Sequence, residues 1–208
     1  MVFLRHVARV VRHLPSARFI LNLCEERYHF MVAFAAVGVN GQTNLLPSSR
    51  ANLHLQQLAV DFSDSSRITD GDLESWLDRG ATEDTAYSIP KVPSEQIMAI
   101  AFTSGSTGHA KPHPKSWGEL VSGAWQAQQR FGFDQATTLV ATVPPQHMYG
   151  LETSIMAPLV SGVSVDGARP LFPDDVRAAL ARAPAPRALI TTPVHLRACI
   201  QAGLRWPD

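Results

Sequence analysis

Six consecutive small residues, Thr103-Ser104-Gly105-Ser106-Thr107-Gly108, followed three positions later by Lys111, are the part of this 208-residue chain best equipped for chemistry. Glycine lets the main chain come close to a ligand, the hydroxyls add donors, and the lysine adds positive charge. Together they make an anion cradle, and phosphate is the anion it suits. A flexible Gly/Ser linker is the plain alternative. The flanks argue against it: Ile97 to Phe102 is an apolar run that reads as a buried strand, and Ser116-Trp117-Gly118-Glu119 has capping-box spacing ahead of Leu120, Val121, Ala124, Trp125 and Phe131. The segment therefore reads as strand, loop, helix. Its spelling excludes the Walker A loop, because Lys111 precedes Pro112 and leaves no hydroxyl where that loop places one for Mg²⁺.

A second candidate is Pro144-Pro145-Gln146-His147-Met148-Tyr149-Gly150, which follows the apolar run Thr138 to Val143. His147 is a titratable group at the end of a strand, open to two readings: a pocket residue or a hydrogen-bonded structural histidine. Met148 and Tyr149 suit either a core or a channel wall. His109, His113 and Lys115 are assigned to solvent.

These residues need a scaffold, and the pattern of the chain supplies one. Phe3, Val7, Val10, Val11 and Leu14 share a helical face closed by Pro15; the acid-free, arginine-containing start is read as a surface helix, not as a targeting peptide. Strands are expected at Phe19–Leu23, Thr43–Leu46, Ile97–Phe102, Thr138–Val143, Val163–Val165 and Ala188–Thr191. Helices are expected at Arg27–Val37, Asn52–Val60, Leu151–Val160 with Gly162 as its cap, from Pro173, and at Val194–Gln201. Alternation of strand and helix predicts an α/β fold of parallel-sheet βαβ units with helices on both faces. Two portions are expected, 1–93 with a polar surface excursion at 61–93, and 94–208 carrying the loop, as parts of one incomplete domain.

Composition narrows the function. Hydrophobic residues make up 45% of the chain and charged residues 17%, which favours a folded core. Lys+Arg and Asp+Glu are 18 each, so no basic excess points to nucleic acid. The longest apolar stretch, Phe30 to Val39, is well short of the roughly 20 residues of a spanning helix. Cys24 and Cys199 lack metal or redox spacing and read as buried free thiols, which suits the cytoplasm.

The run Ile100-Ala101-Phe102-Thr103-Ser104-Gly105-Ser106-Thr107-Gly108-His109-Ala110-Lys111 resembles the signature loop of the AMP-forming adenylating enzymes, which include acyl-CoA synthetases and aryl-CoA ligases, with Ala110 where proline is more usual. Pro144 to Gly150 is similar to that family's Pro-x-x-His-x-x-Gly segment, and NLCEERYHFMVAFAA with NLLPSSR is similar to the start of a bacterial acyl-CoA synthetase-like subgroup. The resemblance implies ATP-dependent adenylation of a carboxylate followed by thioester formation, with ATP and Mg²⁺ as cofactors. The partners it implies are a carboxylic acid and CoA or an acyl-carrier protein; a place in fatty acid metabolism is one such setting. It assigns Thr103, Ser104, Gly105, Ser106, Thr107, Gly108 and Lys111 to the ATP phosphates, and His147, Tyr149 and Gly150 to the acyl pocket. It assigns no catalytic residue and no protein metal ligand within the chain. The family's Tyr-Gly-x-Thr-Glu, Thr-Gly-Asp and C-terminal lysine segments are not found in these 208 residues. The expectation is an N-terminal part of a ligase, inactive by itself. The alternatives are a non-catalytic phosphate-binding module or truncated remnant, and a conventional triphosphatase using Asp166 after the Val163–Val165 run as a metal ligand.

Overall fold

The computed structural model describes residues 2–78, 89–103 and 111–207. They group into two compact units, Met1–Glu119 and Leu120–Asp208.

The first unit runs α1 (Val2–Val11), β1 (Phe19–Asn22), α2 (Arg27–Val39), β2 (Thr43–Leu46), α3 (Asn52–Asp61), β3 (Ser65–Ile68), α4 (Asp70–Asp78), β4 (Ile97–Thr103), β5 (Lys111–Ser116) and the first residues of α5 (Trp117–Phe131). Its sheet has the order β3-β1-β2-β4-β5. All neighbours are parallel except β4 and β5. β1 and β2 are apolar because helices cover them, and α2, apolar nearly all round, buries Phe30 and Phe34 completely. Asn44, polar and fully buried in β2, donates through Nδ2 to the carbonyls of Phe34 (3.2 Å) and Met98 (3.0 Å), tying α2 to the sheet. Leu21, Leu45, Leu58 and Phe102 form the core beneath α3, where each fully buried side chain is worth about 1.5–3 kcal/mol.

Two elements of this unit depart from the sequence expectations. Within the 61–93 stretch, read as a surface excursion, Ser65–Ile68 is an edge strand of the sheet, parallel to β1. It looks polar because only Ile68 of its four residues is buried. The segment between the small-residue loop and α5, read as loop, contains β5, antiparallel to β4. Pro112 and Pro114 had hidden it. An edge strand tolerates prolines at alternate positions, because every second N–H faces away from its only neighbour.

The second unit contains the rest of α5, β6 (Thr138–Ala141), α6 (Met148–Leu151), a π-helical segment Glu152–Met156, α7 (Ala157–Ser161), β7 (Ser164–Val165), α8 (Pro173–Arg182), β8 (Arg187–Ile190) and α9 (Pro193–Gln201). Its parallel sheet has the order β7-β6-β8. β6 is buried throughout. Leu139 and Ala141 pack with Ala157, Val163 and Ile190, while Val140 packs with Val176, Ala179, Leu180 and Cys199. Alternate residues of one strand thus meet helices on opposite faces, as a mixed α/β fold requires. Gly162 ends α7 at φ 73°, the left-handed cap its position implied. Both cysteines are free and buried. Among the described residues, no helix is long and apolar enough to cross a membrane.

Candidate functional site

In the first unit, connections leave the carboxyl ends of β2 and β4 in opposite directions. β2 leads through α3 to β3 on the far side of β1, whereas β4 turns outward into the edge strand β5. Open α/β sheets bind ligands where connections diverge in this way. The β4–β5 register brings Lys111 opposite Thr103, so the first residue of β5 returns to the carboxyl end of β4. Lys111 is exposed there. Ser104, Gly105, Ser106, Thr107 and Gly108 lie outside the described residues.

The far end of the hairpin is held by the capping box. Ser116 N–H and Oγ donate to Glu119 Oε2 at 2.8 and 3.1 Å, and Glu119 N–H donates back to Ser116 Oγ at 3.2 Å. The backbone and then the hydroxyl bond from Ser116 hold the Glu119 carboxyl below its ordinary pKa. Trp117 and Gly118 N–H groups donate to the carbonyls of Gln96 (2.9 Å) and Ser94 (2.8 Å), which fixes the start of α5 against the approach to β4.

In the second unit, the carboxyl end of β6 opens into the Pro144–Gly150 turn. His147 N–H donates to the Pro144 carbonyl at 3.3 Å and the His147 carbonyl accepts from Leu151 at 2.7 Å. A Cβ on Gly150 would stand 2.0 Å from the Pro144 carbonyl oxygen and 2.8 Å from its carbon. Position 150 therefore admits only glycine without rebuilding the turn. Gly150 is buried, while Tyr149 (46% exposed) and His147 face water. Surrounding protein and then the Arg169 guanidinium lower the His147 pKa below that of a free imidazole, favouring the neutral ring. The helix widens just after this corner: Ala157 N–H reaches back to the Glu152 carbonyl, and Thr153 and Ser154 hydroxyls donate to the carbonyls of Tyr149 (2.5 Å) and Gly150 (2.7 Å). Such π turns recur at functional sites.

Sequence reasoning passed over two neighbours of this corner. Thr142 and Thr191, just past the ends of β6 and β8, share a hydrogen bond between their Oγ1 atoms at 2.8 Å. Thr192 caps α9 by accepting from His195 N–H at 3.3 Å. The spelling Thr-Thr-Pro ahead of a helix is the signal that could have marked them. Asp166, the residue a triphosphatase reading needed as a metal ligand, is instead paired with Arg182 at 3.1 Å and accepts from Ala168 N–H at 2.7 Å. Among the described residues, no group of three or more His, Cys, Asp or Glu side chains is placed to hold a metal.

Residues 13–206 match the model of the AMP-binding enzyme family. The chain is 30% identical over 168 residues to the 4-coumarate–CoA ligase of Rhodobacter capsulatus, a match covering 76% of this chain and 42% of that protein. Among solved structures, ATP-bound MatB from Rhodopseudomonas palustris superposes with a TM-score of 0.80 at 18% identity, covering 96% of this chain and 45% of that one. The o-succinylbenzoate CoA synthetase MenE from Bacillus subtilis, in complex with its acyl-adenylate intermediate, gives 0.77 at 17% identity, covering 99% and 57%. The two structures show a shared fold. The chain spans about half the length of these proteins. With a family match over nearly all of its length, the chain belongs to the AMP-binding enzymes.

Proposed function

We propose that this chain carries the phosphate-binding and acyl-binding half of an ATP-dependent, AMP-forming carboxylic acid ligase that makes a thioester with CoA or an acyl-carrier protein. The observation that carries the reading is the β4–β5 hairpin, which sets Lys111 opposite Thr103 across the ends of the Gly/Ser/Thr loop. An exposed cation there fits a polyphosphate. ATP is the proposed cofactor, with Thr103, Ser104, Gly105, Ser106, Thr107, Gly108 and Lys111 serving its phosphates. Mg²⁺ is proposed to ride on the triphosphate, since it favours phosphate and water oxygens over an all-protein cage. The acyl chain is assigned to the corner formed by His147, Tyr149 and Gly150, where the first two are open to a ligand and the glycine shapes the turn.

Similarity to a 4-coumarate–CoA ligase and to an acyl-adenylate-bound synthetase supports the same chemistry. The protein's proposed setting is the cytoplasm. Adenylation is assigned to a polypeptide longer than residues 1–208, and these residues alone are proposed to be inactive. The test is ATP–pyrophosphate exchange over a panel of carboxylic acids. Residues 1–208 should give none above a Lys111→Ala control, and acid-dependent exchange by them would overturn that part. In a longer polypeptide that is active, Lys111→Ala should lower exchange by about 10²-fold while leaving the folded structure intact. Unchanged exchange there would remove Lys111 from the phosphate site.

A further inference from the structure

In the first unit, α3 and the edge strand β3 do not close on one another, and a groove of ≈ 360 Å³ open to solvent runs between them. That volume lies at the lower end of the range of small-molecule sites, about 300–1,000 Å³. Its floor is apolar, formed by Leu21, Leu23 and Leu55, which belong to or pack against the core beneath α3. The β1–β3 register sets Arg67 beside Leu21 and Ser65 beside Phe19. By strand alternation these two side chains stand on the face that α3 covers.

The rim is where the groove departs from an ordinary surface crease. Asn52, Gln56, Ser65, Ser66 and Arg67 line it, and among the described residues no acid does. Among the described residues, none of these five side chains makes a hydrogen bond or ion pair. Arg67 is the exception among the described arginines of its unit. Arg9 donates to the Leu77 carbonyl, Arg50 pairs with Glu25, Arg18 lies over the Phe19 ring, and Arg5, Arg12 and Arg27 are likewise engaged. One unmatched guanidinium above a leucine floor, ringed by neutral hydroxyl and amide groups, matches a monoanion on an apolar body. A guanidinium recognises a carboxylate by two parallel hydrogen bonds.

We propose that this groove binds a carboxylate carried on a short apolar chain, with Arg67 on the carboxylate and the leucines under the chain. The site lies wholly within the first unit and is independent of the ATP-dependent chemistry proposed above. The experiment is an amide NMR titration of the full chain, without nucleotide, using hexanoate, with hexan-1-ol and inorganic phosphate as parallel arms.

Hexanoate should produce saturable shifts at Ser65–Arg67 and at the side-chain amides of Asn52 and Gln56. Hexan-1-ol and phosphate should each bind at least about tenfold more weakly, since each lacks one half of the recognition. Arg67→Ala, at an exposed edge position whose fold the same spectra check, should weaken hexanoate by a similar factor, with Arg67→Lys in between. Absence of saturable shifts with hexanoate overturns the proposal. So does hexan-1-ol or phosphate binding as tightly as hexanoate, which can be read on the unmodified protein, and so does unchanged affinity in a folded Arg67→Ala variant. None of these outcomes bears on pyrophosphate exchange.

Discussion

Two corners of this molecule do the same mechanical task by different means. Each brings the chain from strand geometry into a helix beside residues of a candidate site. At the start of α5 the corner is held by polar reciprocity, with Ser116 and Glu119 exchanging hydrogen bonds at 2.8–3.2 Å. At the start of α6 the preceding residue, His147, makes no side-chain cap bond. That corner is held by close approach, leaving no room for a Cβ on Gly150 beside the Pro144 carbonyl. A hydrogen-bonded corner can exchange its partners for water and lose little. A corner built on a missing Cβ has no such substitute. The second should therefore be far less forgiving than the first.

The sharpest way to break that contrast is Gly150→Ala. The added methyl must displace a main-chain carbonyl, so the cost should be about 3 kcal/mol. For a chain of this length that lowers the melting temperature by roughly 6–12 °C. Gly71→Ala is the matched control, because its Cβ would meet only Thr69 Oγ1, at 3.9 Å. It lies inside α4, where alanine is favoured over glycine by up to about 1 kcal/mol. Urea and thermal unfolding of both variants decide the matter. If Gly150→Ala unfolds with the control, steric closure of the α6 corner is wrong.

The capping corner should respond more mildly. Ser116→Ala is expected to cost about 1 kcal/mol. A double-mutant cycle with Glu119→Ala should show the two changes to be non-additive, since each removes one end of the Ser116 Oγ–Glu119 Oε2 bond. The Glu119 carboxyl is held below its ordinary pKa by those bonds. Its stabilisation is thus present above the unfolded carboxylate value and is lost as pH falls through the lower folded value. Ser116→Ala should raise the Glu119 pKa toward the ordinary range, measurable by carboxyl NMR. Additive costs and an unmoved Glu119 would mean that the Ser116 hydroxyl contributes nothing to the corner, which the backbone bond then holds alone.

The same contrast explains what was legible in the sequence. The capping box could be read because it is spelled by side chains three residues apart. Central strands were also legible: β2 appears at Thr43–Leu46, the short stretch ahead of Pro47 where it was expected, and β6 begins at Thr138, where an apolar run placed it. β3 and β5 were not. An edge strand needs few apolar residues, so Ser-Ser-Arg-Ile and Lys-Pro-His-Pro-Lys-Ser carry no strand pattern, and only pairing with β1 and β4 reveals them. The π turn at Glu152–Met156 was invisible for another reason. It lies inside Leu151–Val160, a stretch that serves an α-helix equally well, and only the Ala157-to-Glu152 hydrogen bond distinguishes the two. In the candidate site, the spelling gave Gly150 a place in a motif. Its physical role, relief of a clash with Pro144, needed coordinates.

The smallest expected effect tests the electrostatics of the α6 corner. Surrounding protein and Arg169 lower the His147 pKa in the folded chain. Between that lowered value and the ordinary imidazole value of about 6.5, the unfolded chain binds more proton than the folded one. Stability must therefore be full above the ordinary value and decline as pH falls toward the folded value. Water reaches the His147 ring, so screening keeps the decline small. His6 acts in the same direction in the other unit, its pKa lowered by burial and then by Arg9 and His29. The difference between wild type and a variant, not the raw pH profile, isolates His147. Urea midpoints at pH 7.5 and 5.5 should draw together in His147→Gln, and Arg169→Gln should reproduce part of that change. Equal pH slopes in wild type and His147→Gln would mean that the imidazole is effectively in bulk solvent, and that the contact-built corner leaves its exposed face electrostatically open.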